Sequence, residues 1–465
     1  MNATLQKIYA KVPVPVQEWA VTLRGLQIRR QRYGKEFRRL LDEGLTRERQ
    51  SEGQIRQWQS EQLQRLVAHA LTQVPYYREI AERLHLAPDD FRSVADLPKL
   101  PILTRDGVRR NFARLVADGV NPKQLWLGHT SGTTGSPLEF YWDNPVVVMT
   151  NVVLWRHRAC AGFKIGDPFL KLTGNVIVPL AQKTPPYWRY NRALNQLFLS
   201  AFHLSEDALP HYVEAIRRFG PRFMDAYPST AYVLARYVVS RKETIPLRGV
   251  FTSSETLLPQ QREIIEQAFV CEVFDYYGLA ERTVFATECE KHAGHHVNMD
   301  YGITELVDAD GNHVASGEMG RAVTTGLHNW AMPLLRYETS DVTALGGAPC
   351  ACGRGFPLMT AVTTKAEDIV VTPDGRHISS STLTHPFKPM HNIRESQIVQ
   401  SEPDRIVVKI VPRPEYTDED TKQLVAGLQE RLGDGVRVDL EFLSEIPRER
   451  SGKFRWVVSR VPLRF

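Results

Sequence analysis

The chain has 465 residues, 42% of them apolar and 24% charged, a balance typical of a soluble globular protein and too long for one small core, so two or three domains are expected. A net charge of +5 is mild for this length and gives no warrant for nucleic-acid binding. No apolar run is long enough to cross a bilayer, the N-terminus lacks the apolar stretch of a signal peptide, and five cysteines do not make a disulfide framework, so a reducing, cytoplasmic setting is expected.

The first sixty residues are basic and helical in pattern. Arg24, Arg29, Arg30, Arg32, Lys35, Arg38 and Arg39 interleave with Leu26, Ile28, Phe37, Leu40 and Leu41. Most such helices are solvated on one face, but a basic amphipathic helix can also lie on an anionic membrane surface or a partner. A second helical pattern runs from Ile55 to Leu71, and Val74-Pro75-Tyr76-Tyr77 is read as closing it, because the residue before a proline disfavours helix. Leu97 to Thr104 reads as an extended crossing that ends in the N-cap Thr104.

Between two strand-like runs, Gln124 to Leu127 and Leu138 to Trp142, lies the segment His129-Thr130-Ser131-Gly132-Thr133-Thr134-Gly135-Ser136-Pro137. Its glycines let consecutive N–H groups point at one anion, and its hydroxyls add donors without bulk, so it reads as a phosphate cradle in a hairpin. It has no Gly-Lys-Ser/Thr of a Walker loop, and taken alone a plain turn explains it as well.

From Phe169 to Phe274 short apolar runs alternate with helical patterns: strands at Leu170 to Leu172, Phe223-Met224, Val250-Phe251 and Val273-Phe274, helices at Ser205 to Phe219, Thr230 to Val239 and Gln260 to Phe269. This alternation predicts a parallel sheet covered by helices. Beyond Gly302 the pattern turns β-rich, with Ile303 to Val307, Ala322 to Thr325 and Leu334-Leu335. A last block from about Asp368 has strands at Ile406 to Val411 and Val436 to Phe442 around a helix near Asp420 to Leu432. The fold class is therefore α/β: a large domain of helix-covered sheets with a β-rich subdomain, and a small α+β C-terminal domain. The expected divisions are an N-terminal extension 1–60, a large domain 61–366 and a small domain 367–465.

Three further segments carry chemistry. Phe274-Asp275-Tyr276-Tyr277-Gly278-Leu279-Ala280-Glu281 ends an apolar strand in two aromatics, a glycine and a carboxylate, at the strand end where α/β sheets collect ligands. Asp341 follows a β-rich run and could accept from a vicinal diol such as ribose. Lys453 stands on a Gly-bearing loop, Arg450-Ser451-Gly452-Lys453, where it could meet charge developing on phosphate and carboxylate oxygens. The plainer alternatives are core tyrosines, a turn-capping aspartate and a basic tail.

In this order, the segments resemble the adenylate-forming ligase superfamily that includes acyl-CoA synthetases, and within it the phenylacetate-CoA ligase-like branch. The resemblance runs from about residue 60 to the end, with Val74 to Arg78 and Leu97 to Thr104 also similar to relatives from polysaccharide-associated gene sets. It implies that Thr130, Ser131, Gly132, Thr133, Thr134 and Gly135 cradle ATP phosphates. It further implies that Asp275, Tyr276, Tyr277 and Gly278 bind adenine, that Ser254 and Glu255 line the adenine and acyl pocket, that Glu281 binds magnesium, and that Asp341 binds ribose. Lys453 would drive adenylation together with Glu281 and Thr133. Thr364-Lys365-Ala366-Glu367-Asp368 stands where the family usually has Gly-Arg-x-Asp-Asp, a hinge for the small mobile domain; Lys365 keeps the charge without the bidentate fork of arginine.

Cys350-Ala351-Cys352, with Cys289 and the nearby His292, His295 and His296, offers three thiolates and an imidazole, the donor set of a closed structural zinc site. Members of the branch often carry such a zinc. The expected ligands are Cys289, His296, Cys350 and Cys352, with His295 taken as a solvated neighbour; Cys160 and Cys271 read as ordinary buried thiols. The implied reaction is attack of a small-molecule carboxylic acid on Mg-ATP to give acyl-AMP and pyrophosphate, then transfer to coenzyme A. Tyr141, Trp142, Tyr227, Tyr276 and Tyr277 could build a flat pocket for an aryl or arylalkyl acid, although aromatics are equally common as core filler. The alternatives are transfer to an amine, hydroxyl or carrier protein, or a catalytically silent scaffold that binds nucleotide and zinc.

Overall fold

The computed structural model describes residues 8–129, 138–360, 392–448 and 454–461, together with parts of 361–391. The phosphate-cradle residues Thr130, Ser131, Gly132, Thr133, Thr134 and Gly135 and the lysine Lys453 lie outside the described residues, as does the side chain of Lys365. The chain folds as two compact units, one of Met1–Thr304, Val323–Glu338 and Gly347–Met359, the other of Glu305–Ala322, Thr339–Gly346 and Thr360–Phe465.

The larger unit opens with α1 (Val14–Arg32) and α2 (Lys35–Arg47), separated at Gly34, then α3 (Glu52–Gln73) and α4 (Pro75–Leu84). Ser51 starts α3 with a capping box, its hydroxyl accepting from the Gln54 N–H while the Gln54 side chain accepts from the Ser51 N–H. Val74 and Pro75 do close α3, but the chain does not leave the helical state there. Proline at the first position of α4 lacks only an N–H that would be orphaned anyway, so one helix stops and another begins. Leu97 to Thr104 is not wholly extended either: Val94–Lys99 is a 3-10 helix containing Pro98, and only from Leu100 does the chain extend to Thr104, which caps α5 (Arg105–Arg110) by accepting from the Gly107 N–H at 3.1 Å. Strands β1 (Trp126–His129) and β2 (Glu139–Trp142) form the expected antiparallel hairpin stem, with Trp126 opposite Trp142 and His129 opposite Glu139.

Helix α6 (Asn144–Ala159) follows, capped by Asp143. Then come β3 (Phe169–Leu172), β4 (Trp188–Asn191), β5 (Gln196–Leu199), α7 (Leu209–Phe219), β6 (Phe223–Ala226), α8 (Pro228–Ser240), β7 (Gly249–Ser253), α9 (Pro259–Phe269), β8 (Val273–Gly278), β9 (Phe285–Glu288) and β10 (His295–Val297). Strands β11 (Gly302–Val307), β12 (Met319–Gly326), β13 (Tyr337–Ala344), β14 (Leu358–Met359) and β15 (Thr364–Lys365) complete this part of the chain. The main sheet has nine strands in the order β14-β10-β9-β8-β7-β6-β3-β5-β4. Its centre, β5-β3-β6-β7-β8, is parallel as the alternation predicts, and antiparallel strands extend both edges.

The twofold period of the strands sorts the side chains. The register row Leu170, Met224, Val250 and Val273 packs with buried residues of α7, α8 and α9. In the next row, Lys171, Asp225, Phe251 and Phe274, the two phenylalanines pack with α6 residues Val148, Val152 and Trp155. Strands β11, β12, β13 and β15 form a second sheet, divided between the two units. Leu334-Leu335 is not a strand: the Leu335 N–H is taken by the Tyr77 hydroxyl at 2.9 Å and Arg336 has φ of +48°, so pairing starts only at Tyr337.

The smaller unit holds the sheet of β18 (Ile393–Glu402), β19 (Arg405–Pro412), β20 (Arg437–Phe442) and β21 (Val457–Ser459), after the hairpin β16 (Ile369–Val371) and β17 (His377–Ser379). Helix α10 (Asp418–Leu432), started by a Thr417–Asp420 capping box, buries Leu424, Leu428 and Leu432 with Ile398, Ile406, Val408 and Ile410.

In the larger unit a buried guanidinium ties α6 to its surroundings. Arg156 makes a bidentate pair with Asp300 at 2.7 and 2.8 Å, reaches the Asn298 oxygen at 2.5 Å and the Gly44 carbonyl at 3.1 Å, and lies 3.5 Å from Glu48. Burial raises the Asp300 carboxyl, and the guanidinium more than offsets that, so it stays ionised. Removing one partner strands a buried charge: Asp300→Ala is expected to cost about 3–5 kcal/mol in urea unfolding, and a loss below about 1 kcal/mol would contradict this role.

Candidate functional site

The carboxyl ends of the parallel strands carry the polar residues. At the end of β7, Ser254 is exposed with φ of +71°, a left-handed conformation that turns the chain sharply out of the sheet. The Glu255 carboxylate accepts the N–H of Ser229 at 3.0 Å, in the first turn of α8, where the helix dipole favours an anion. On β8, Tyr276 stacks on Phe285 with ring centroids 5.1 Å apart and meets the edge of His157 at 5.6 Å. Burial raises its hydroxyl, which is bonded to the Ser253 side chain. Tyr277 is half-buried opposite Ala286, and Gly278 pairs with Phe285. Asp275 accepts the Thr252 hydroxyl at 2.6 Å and faces His295 Nε2 at 3.0 Å; burial raises its carboxyl and the His295 bond opposes that.

Glu281 is buried and its Oε1 accepts the Tyr337 hydroxyl at 2.7 Å. The hairpin stem is tied to the same turn. Trp142 Nε1 donates to the Ala280 carbonyl at 3.1 Å, and the Arg282 guanidinium lies 3.8 Å over the Trp142 ring. Trp142 thus clamps the β1–β2 pair to the turn that carries Glu281. Tyr141, by contrast, rests on Phe112 as core filler.

Sequence reasoning missed a charged cluster at these strand ends. The Asp225 carboxylate is held by Arg158 at 2.9 Å and Lys171 at 3.4 Å; burial raises it and the two cations bring it below the usual carboxylate range. The signal was a lone charge inside each of two apolar strands, Phe169–Leu172 and Phe223–Ala226. His157, between Phe251, Phe274 and Tyr276, was also missed; burial pushes it down to about 3, so it is neutral.

Cys289, His296, Cys350 and Cys352 converge, all four donor atoms lying within 4.8 Å of one another. Cys289 and Cys350 sulfurs are 3.6 Å apart, and Cys352 Sγ is 3.3 Å from His296 Nε2. Tetrahedral zinc bonds imply edges of about 3.8 Å between sulfurs and about 3.5 Å between sulfur and nitrogen, so the donor set fits. His296 Nδ1 lies 2.9 Å from the Phe356 carbonyl, which orients the ring with Nε2 toward the thiols, and burial lowers its pKa and keeps it in the neutral ligand form. His295 is not a solvated neighbour as expected; it is buried, and its position on the alternate face of β10 turns it to Asp275. Cys160 and Cys271 are half-buried, and burial pushes both thiols up to about 12.

In the smaller unit, Asp341 is buried on β13, its N–H donates to the Thr339 hydroxyl at 3.1 Å, and its backbone stands opposite Lys365 of β15.

Residues 370–460 match the family model described as the CapK C-terminal domain. Protein CapK of Staphylococcus aureus is 26% identical over 462 residues, 98% of this chain and 100% of that protein. Phenylacetate-coenzyme A ligase of Escherichia coli (strain K12) is 30% identical over 298 residues, 62% of this chain and 66% of that enzyme. The same-named enzyme of Thermus thermophilus is 28% identical over 331 residues, 68% and 72% of the two chains. Among solved structures, 2-hydroxyisobutyryl-CoA ligase in the postadenylation state, in complex with 2-HIB-AMP, superposes with a TM-score of 0.71 at 19% identity, covering 89% of this chain and 91% of that one. That likeness is one of fold.

Proposed function

Because this chain belongs to the adenylate-forming ligase superfamily, in its phenylacetate-CoA ligase-like branch, we propose that it is an AMP-forming acid-CoA ligase. The carboxylate oxygen of a small acid attacks the α-phosphorus of ATP, pyrophosphate leaves, and the thiol of coenzyme A then displaces AMP from the acyl carbon. The observation that supports this reading is Glu281: a buried carboxylate held by Tyr337 just beyond the β8 aromatics, on a turn that Trp142 of β2 ties down. Glu281 would hold magnesium, which supplies charge neutralisation to the triphosphate. Tyr276, Tyr277 and Gly278 would present a flat wall to adenine, Ser254 and Glu255 would edge the pocket, and Asp341 would accept from ribose hydroxyls. Thr130, Ser131, Thr133 and Thr134 would hold phosphate oxygens, and Lys453 would stabilise the charge on the reacting oxygens. The domain division at 367, with Lys365 at the hinge, belongs to the same reading.

The acid is proposed to be aryl or arylalkyl, with half-buried Tyr227 after β6 and half-buried Tyr277 on β8, two strands of one sheet separated by β7. A second acceptor reading is favoured by one observation: the match to protein CapK spans 98% of this chain, whereas the coenzyme A ligases match 62% and 68%. In that reading the acyl group passes to an amine, a hydroxyl or a carrier protein. Cys289, His296, Cys350 and Cys352 would hold zinc with four protein ligands, which would leave no open position for substrate and make the ion structural.

Pyrophosphate release measured over a panel of carboxylic acids is expected to single out one class, and AMP turnover is expected to rise when coenzyme A is added. Lys453→Ala should slow adenylation by about 10²–10³-fold. Unchanged adenylation in that variant would remove Lys453 from the reaction, and no release with any acid would favour a silent scaffold. Metal analysis of purified protein is expected to find one zinc per chain, lost in Cys289→Ser and Cys350→Ser; a wild-type chain that neither contains nor takes up zinc would contradict the site.

A further inference from the structure

Helix α1 buries polar groups and leaves large apolar ones bare. Its contacts with the protein are largely polar: Gln17 accepts from Arg189 Nε at 2.7 Å, Glu18 from the Tyr190 N–H at 3.0 Å, and Thr22 from the Arg192 N–H at 3.2 Å, with Val14, Val21 and Ile28 half-buried beside them. Gly25 completes the inward face, where an added Cβ would meet the Asn191 side chain at 2.3 Å. The opposite face is apolar and bare. Val16, Trp19, Leu23 and Leu26, spaced i, i+3, i+7 and i+10, are 49%, 57%, 60% and 42% exposed. At 1.5 Å per residue they make a stripe about 15 Å long.

Single exposed apolar side chains are ordinary, but these are not scattered. Of the fourteen large apolar side chains exposed among the described residues, six lie between Ile8 and Leu45. Anchoring α1 mainly through polar bonds leaves the stripe of Val16, Trp19, Leu23 and Leu26 unused by the fold, where a surface helix ordinarily turns such residues inward.

Charge identifies what covers the stripe. The first 47 residues hold ten Lys and Arg against four Asp and Glu, a net +6, while the whole chain is only +5, so the other 418 residues sum to −1. Arg24, Arg29 and Arg30 are exposed on α1 itself, and Arg192 lies 6.0 Å from the Trp19 ring. Packing a second copy against this face would bring two +6 segments together. An anionic bilayer instead satisfies both features: the Trp and Leu side chains enter the acyl boundary while the arginines stay among the headgroups.

We propose that α1 docks this protein flat on an anionic lipid surface through Val16, Trp19, Leu23 and Leu26, rimmed by Arg24, Arg29, Arg30 and Arg192. No helix of the described residues is long and apolar enough to span a membrane, so the attachment is peripheral and reversible. It would hold the ligase where its acyl product is consumed, yet it does not depend on the catalytic reading.

The test is co-sedimentation of the full-length protein with phosphatidylcholine–phosphatidylglycerol vesicles and with pure phosphatidylcholine vesicles. Binding to the anionic vesicles alone is expected, weakening as salt rises. Arg24→Gln and Arg30→Gln should each weaken it about five-fold, since each cation near such a surface contributes about 1 kcal/mol. Trp19→Ser with Leu23→Ser should abolish it while shifting the thermal unfolding midpoint only slightly, because both side chains are mostly exposed and Trp19 gives up only its contact with Arg192. Equal binding to both vesicle types, no binding to either, or full binding by the Trp19/Leu23 variant would overturn the proposal. Self-association lost in that variant, without vesicle binding, would assign the face to a second copy instead.

Discussion

A guanidinium that water cannot reach organises the larger unit. Arg156 lies on α6, its main partner Asp300 follows β10, and Glu48, which ends α2, bridges it to Arg354 at 3.2 Å. Arg354 stands two residues past Cys352 and pairs with Glu290, next to Cys289. One buried network therefore fixes the N-terminal helices, the loop of the thiols and the pitch of α6. Such networks add little net stability compared with apolar packing, but they tolerate few alternative arrangements. With α6 so held, the next two residues, His157 and Arg158, present themselves to Tyr276 and to Asp225 at the strand ends. Structural and chemical parts of the unit thus share one anchor.

Much of this was legible in the sequence because it rests on local rules. The strands Phe169–Leu172, Phe223–Ala226, Gly249–Ser253 and Val273–Gly278 announce themselves by short apolar runs between helices, and the order of those helices implies a parallel sheet. The hairpin stem, the Thr104 cap and the convergence of Cys289, His296, Cys350 and Cys352 were equally readable, since each follows from residue type and spacing.

The misreadings have a common origin in tertiary contacts. Leu334-Leu335 has the composition of a strand, yet its backbone is claimed by the Tyr77 hydroxyl from α4, far away in sequence. His295 reads as a solvated neighbour of His296, yet strand alternation sends it to the opposite face of β10, toward Asp275. The polarity of α1 was hidden most completely. Its basic and apolar residues allow either a helix solvated on one face or one that docks on a surface, and only the bonds of Gln17, Glu18 and Thr22 show which residues hold it to the protein.

The chemistry assigned to the strand ends requires one particular bond change: the acid's own oxygen must join the α-phosphorus of ATP and stay there when the acyl carbon moves to its acceptor. Oxygen-18 tracing from the labelled carboxylic acid reads that step directly. Complete turnover is predicted to leave one labelled oxygen in AMP and none in pyrophosphate. Label found in inorganic phosphate with ADP as the nucleotide product would mean attack at the terminal phosphorus, and would contradict adenylate formation by this protein.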